Sequence, residues 1–184
     1  MSDAPLSRRV FVAGTLVAGA GIWISAALPR PLAAAESRAS TTPISLTKTE
    51  WKTVEAITAR LIPSDETPGA REANCVNFID KALAHEDAAA LPLYRTALAE
   101  LDRICRARFE KSYVDLSSDR QDALISELEL ETVAGWKAHA AKPNAFFETI
   151  RIHTILGFVL DPSYGGNRDY AGWKAMGFPG PVHH

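Results

Sequence analysis

Residues 46–63 read LTKTEWKTVEAITARLIP, and this stretch decides the fold class. Thr47 and Glu50 have the spacing of a capping box, in which each side chain serves the other residue's backbone N–H, and Leu46 is placed to staple onto Trp51 one turn inside. Trp51, Val54, Ile57 and Leu61 then recur at helical spacing until Pro63 stops the helix. The same period continues outward. After a turn-rich loop at 64–69, Ala73, Val76, Ile79 and Leu83 mark a second helix. Pro92 opens a third, with Tyr94, Leu98, Leu101 and Cys105 on one face. Leu116-Ser117-Ser118-Asp119 starts a fourth, whose Leu124 and Leu128 face the core through about Val133. Lys142-Pro143-Asn144 introduces a fifth, with Phe147, Ile150, Thr154 and Gly157 on one side. No stretch alternates with period two over strand length, and there is no internal repeat. The expectation is an all-α domain, a compact bundle of about five helices.

From Asp161 the character changes. Asp161-Pro162-Ser163-Tyr164-Gly165-Gly166-Asn167-Arg168-Asp169 is followed by Trp173 and then by Gly177-Phe178-Pro179-Gly180-Pro181. Gly and Pro recur too often for a long helix, while Tyr164, Tyr170, Trp173 and Phe178 are too apolar for a solvated tail. Such a segment packs on something, either its own core or another protein. Gly165-Gly166-Asn167 suits a tight turn with positive φ, and Arg168 and Asp169 suit either a helix cap or a pairing across an interface.

The other end of the chain is a targeting segment. Arg8 and Arg9, with Phe11 just beyond, precede the uncharged run Val10–Leu28, which leads to Ala33-Ala34-Ala35. A paired arginine before a weakly apolar run with an A-x-A processing site at Ala33 and Ala35 reads as a twin-arginine signal over residues 1–35. An uncleaved anchor is the other reading, since the run just reaches bilayer length. Residues 36–45, rich in Ser, Thr and Ala, read as a flexible linker, and 46–184 as the domain. Export by that route carries folded proteins, so the leader implies something that folds in the cytoplasm and works in the periplasm.

Residues 36–184 carry 17 Lys and Arg against 21 Asp and Glu, a formal charge of −4, with no block of like charge. That balance argues against nucleic acid or an anionic membrane surface as partner. Cys75 and Cys105 are the two cysteines. In an exported domain they fit one bridge across two antiparallel helices, closing a loop of about 30 residues worth roughly 3 to 4 kcal/mol. The alternative is two separate thiols, with Cys105 a core residue.

The residues exclude several chemistries. The clustered glycines before the tail, Gly14, Gly19 and Gly21, lie in the leader, so the domain has no dinucleotide-binding turn. There is no Cys-x-x-Cys-His for covalent haem, and two cysteines do not hold an iron–sulfur cluster. His85, His139, His153, His183 and His184 are scattered without paired ligand spacing, so no zinc site is expected. His153 sits mid-helix before Asp161 and Asp169. Read from the residues, it is either a packed histidine or a general base oriented by one of those carboxylates, the alternative function being an independent periplasmic enzyme or binding protein that uses His153 with Asp161 or Asp169.

The chain resembles the small subunit, or subunit 3, of bacterial membrane-bound gluconate 2-dehydrogenases. The resemblance rests on the arginine-pair leader, on Leu46-Thr47-x-x-Glu50-Trp51, on Arg60-Leu61-Ile62-Pro63 and on Asp65–Ala73. It rests above all on the tail: His153-Thr154-x-x-Gly157-Phe158, Asp161-Pro162-x-Tyr164-Gly165-Gly166-Asn167-Arg168-Asp169, Gly172-Trp173 and Gly177-Phe178-Pro179-Gly180. The middle, about Ala84 to Lys142, carries no matched motif. The resemblance implies a non-catalytic accessory subunit without a cofactor of its own. Its partner would be a large FAD-containing subunit that oxidises gluconate or a related sugar or sugar acid, and a multihaem cytochrome c would pass electrons to quinone. The chain would export the large subunit and be held at the membrane only through its partners. Tyr164, Asn167, Arg168, Asp169, Trp173 and Phe178 are the expected interface residues, since aromatics and Arg dominate interface energetics.

Overall fold

The structure, a computed structural model, describes residues 42–179. The leader, with Arg8, Arg9, Phe11, Ala33 and Ala35, lies outside these residues, as do most of the linker and His183 and His184. Among the described residues six α-helices run in chain order: α1 Lys48–Leu61, α2 Cys75–Ala84, α3 Leu91–Phe109, α4 Ser118–Glu129, α5 Pro143–Val159 and the short α6 Ala171–Ala175. No strand occurs among the described residues.

Local chemistry sets the boundaries. The capping box is present: Thr47 Oγ1 accepts from Glu50 N–H at 3.2 Å and Glu50 Oε2 accepts from Thr47 N–H at 2.7 Å. Pro92 and Pro143 stand in the first turns of α3 and α5, where a missing N–H costs nothing. The fourth helix ends at Glu129, short of Val133. Glu131 takes a left-handed conformation, and Thr132 N–H returns to Glu127 O at 2.9 Å in a Schellman closure. Ala73 belongs to the turn before α2, and α6 is the short helix that follows Arg168 and Asp169 in the tail.

α5 is the shared helix. Its Phe146, Phe147, Ile150 and Thr154 are buried, and it packs mainly on α2 and α4. One large apolar cluster joins α1 to α5 around Tyr94, Leu101, Leu124 and Ile150. A second, smaller cluster gathers Ile62, Ala70, Ala73, Cys75, Phe158 and Ala171 at the end of the bundle where the tail lies.

The expected bridge is overturned: Cys75 and Cys105 are both free, buried thiols. Helical spacing placed both near apolar stripes but did not say which helices are neighbours. α2 packs on α5 and α1 rather than mainly on α3, so Cys75 falls in the small cluster and Cys105 in the large one. Burial pushes both thiols up, Cys105 to about 11, which makes them unreactive core residues.

Candidate functional site

The tail folds onto the C-terminal half of α5 and the start of α2 through backbone contacts that only small residues permit. A Cβ on Gly166 would lie 2.1 Å from Gly157 O, and one on Gly172 would lie 1.8 Å from Phe158 O. Asn167 is fully buried at the centre. Its N–H donates to Gly157 O at 2.7 Å, its Nδ2 donates to Leu160 O at 2.9 Å, and its Oδ1 accepts from Gly172 N–H at 2.9 Å. Asn77 Nδ2 donates to Gly165 O at 2.7 Å, and Arg168 N–H donates to Ala73 O at 3.1 Å. The 62–73 loop thus meets the tail, bringing the two most motif-rich parts of the sequence to one end of the bundle. Within that loop Glu72 accepts from Ser64 Oγ and from Gly69 N–H, and the Ser64 hydrogen bond above all holds its carboxyl below the ordinary value.

This wrapping presents aromatic rings outward. Tyr170 stacks on Trp173 with centroids 5.2 Å apart, and Phe178 meets Trp173 edge-on at 5.1 Å. Tyr170 is 40% exposed and Phe178 53% exposed, and Met176 beside them is half exposed. Three non-glycine residues in the segment stand at positive φ: Asn167 at 44°, Asp169 at 55° and Tyr170 at 58°. Asn and Asp tolerate that region, but a ring-bearing residue there costs about 1–2 kcal/mol. Strain of that kind survives only where the surroundings over-determine it, and such places cluster at functional sites. Here the determinants are the Asn167 hydrogen bonds and buried Ala171, and the product is an exposed aromatic ladder.

The candidate residues therefore divide. Arg168, Asp169 and Phe178 are exposed, and Tyr164 and Trp173 are half-buried. The Trp173 indole donates to Val159 O at 2.7 Å, so Trp173 both ties the tail to α5 and carries the ladder. Asn167 shapes the surface from beneath.

His153 has a different carboxylate from those expected. Its Nε2 lies 2.9 Å from Asp87 Oδ2, while Asp161 instead caps Ser163 N–H at 2.9 Å and Asp169 is exposed at the tail surface. The pairing with Asp161 or Asp169 is overturned because Asp87, in the loop after α2, reaches the ring first. A carboxylate only accepts, so Nε2 carries the hydrogen and Nδ1 accepts from the buried Tyr94 hydroxyl at 3.0 Å. Both ring nitrogens are engaged and the residue is 7% exposed, which leaves no lone pair free for a substrate proton. Burial pushes the imidazole below its ordinary value, opposed by the charge and hydrogen bond of Asp87. The unfolded chain then binds the proton more readily, so this stability is present above about pH 6.5 and is lost as pH falls below it. His153→Gln is expected to flatten the decline of the melting temperature between pH 7 and pH 5. An unchanged slope would mean the imidazole titrates as in solution.

An open groove of about 640 Å³ lies beside α1, lined among others by Lys52, Glu55, Arg60, Arg71 and Glu72. Its charges are mixed, and Arg60 is already held by Asp122 through two hydrogen bonds of 2.8 and 2.7 Å. No group of three or more His, Cys, Asp or Glu able to hold a metal occurs among the described residues, and none of their helices is long and apolar enough to cross a membrane.

Residues 48–180 match the family model described as Gluconate 2-dehydrogenase subunit 3. No curated protein and no solved structure matches the chain.

Proposed function

The chain belongs to the gluconate 2-dehydrogenase subunit 3 family, and from that premise we propose that it is a non-catalytic accessory subunit that binds, stabilises and helps export a large FAD-dependent dehydrogenase subunit. The observation that carries this reading is the aromatic ladder of Tyr170, Trp173 and Phe178, held outward by a strained, internally bonded tail. Exposed rings on a rigid support are inexpensive anchors, because little side-chain entropy is left to lose on binding. The partner oxidises gluconate or a related sugar or sugar acid, and its electrons pass to a cytochrome c subunit and then to quinone. The twin-arginine leader takes the pair across the inner membrane already folded, which places the complex in the periplasm.

The test is purification of the tagged chain from its native host. The eluate is expected to show flavin absorbance and to reduce a dye with a sugar or sugar acid. Tyr170→Ala with Phe178→Ala is expected to cut recovery of the flavoprotein at least tenfold while the melting temperature of this chain changes by less than about 2 °C, since exposed substitutions cost little. Trp173 is the poorer probe, because its indole also secures the tail to Val159. A colourless eluate containing this chain alone, with the dehydrogenase expressed, would overturn the reading.

A further inference from the structure

We propose that the partner-binding surface extends from the tail along the outward face of α5, and that the flavoprotein meets it with an apolar, helix-receiving surface; this rests on the accessory-subunit reading above. The last two turns of α5, from Ile152 to Val159, carry no Asp, Glu, Lys or Arg on any side, the pattern of a helix end that is covered all round. Its inner face is covered by α2 and α4. On its outer face Ile152, Ile155, Leu156 and Val159 recur at i, i+3, i+4 and i+7, the spacing of a helix-in-groove contact; Leu156 and Val159 are half-buried, packed in part against the large and the small cluster, so Ile152 and Ile155 are its uncommitted members. Ile152 is 48% exposed, and Ile155 is half-buried yet joins neither apolar cluster. The ridge is continuous with the ladder, since the Trp173 indole donates to the Val159 carbonyl at 2.7 Å.

The segment that enters the domain does not supply the cover. Residues 36–41 read Glu-Ser-Arg-Ala-Ser-Thr, which is polar, and the apolar leader is removed on export under the proposed function. Charge favours a protein over a lipid surface. The ridge is uncharged between the Arg151–Glu148 pair at one end and Arg168, Asp169 and Lys174 at the other, so both signs occur at its rim. An anionic bilayer would be met by a rim of basic residues alone.

Ile152→Asp, made in the full chain produced with its partner, tests this. Co-purification of the flavoprotein is expected to fall at least tenfold, with the helical signal and melting temperature of this chain retained. Leu130→Asp, at a 68% exposed apolar side chain after α4, is expected to leave recovery unchanged. Ile152→Ser is the milder second variant should the aspartate disturb folding, with an expected threefold loss. If the Tyr170 and Phe178 pair of substitutions releases the flavoprotein and neither Ile152 variant does, the extension is overturned and the accessory role stands. If none of these variants releases it, both are overturned. A chain that is dimeric alone, and becomes monomeric with Ile152→Asp while holding its partner, would assign the ridge to a second copy and overturn the proposal. Flotation with phosphatidylglycerol vesicles that Ile152→Asp abolishes, at unchanged partner recovery, would assign it to lipid and overturn it equally.

Discussion

Gly172→Ala is expected to lower the melting temperature by about 10 °C, corresponding to a loss of about 3 kcal/mol in a domain of this size. An added Cβ would lie 1.8 Å from Phe158 O and 3.1 Å from Phe158 Cδ1. Neither side can yield cheaply. Phe158 is on the helix that the whole bundle shares, and Gly172 N–H is fixed by the buried Asn167 Oδ1. α6 must therefore lift, which opens the small cluster of Ile62, Ala70, Ala73, Cys75, Phe158 and Ala171 and frees the aromatic ladder. Alanine is otherwise the better helix former by about 1 kcal/mol, so the glycine is present for the approach and not for the helix. Gly177→Ala is the control. Its φ is +70° and nothing stands within 4 Å of a Cβ, so the backbone strain alone limits the loss to about 1–2 kcal/mol. Thermal melts of the two variants decide the matter: equal effects, or a Gly172→Ala protein melting within about 2 °C of the parent, would mean that α6 does not pack on α5 at this distance.

That glycine shows where reading the sequence stops. Elements written in local chemistry were legible: the capping box and Pro63 bound α1, and the face of Tyr94, Leu98, Leu101 and Cys105 on α3 is buried as its spacing implies. What depends on which elements touch was not. The spacing of Cys75 and Cys105 gave each a helix face without saying that α2 leans on α5. His153 finds Asp87, whose loop is remote in sequence, before the nearer acids at 161 and 169. In the tail, the aromatic content showed that the segment must pack, but Gly166 read as part of a tight turn and Gly172 only as part of a family motif. Their use as points of backbone approach becomes visible only beside α5. One signal was present and unused: Asp80 lies on the face of α2 that carries Val76 and Leu83, and a charge on an apolar stripe means a bonded partner is waiting.

That partner is the segment entering the domain. Asp80 is 1% exposed, and its carboxylate accepts from the N–H groups of Ile44 at 2.6 Å, Ser45 at 3.0 Å and Leu46 at 2.7 Å. The ordered domain thus begins before Leu46, pinned by one side chain just upstream of the α1 capping box. Asp80→Ala removes four charge-assisted bonds, three from backbone N–H groups and one from Ser45 Oγ at 3.0 Å, and leaves the buried Leu46 N–H without its acceptor. Each such bond is worth about 1.5–3 kcal/mol in isolation, but part of the strap can return to water, so the net loss is expected to be about 3 kcal/mol. Asp80→Asn keeps one acceptor oxygen and turns an amide N–H toward another donor, for an expected loss of about 1–2 kcal/mol. Amide hydrogen exchange separates this from a general weakening of α2. Protection at Ile44, Ser45 and Leu46 should fall before that at Leu83, because the strap can open while α2 stays packed on α5. Loss of protection at all four amides together would show that Asp80 supports the helix itself and that the strap follows it passively.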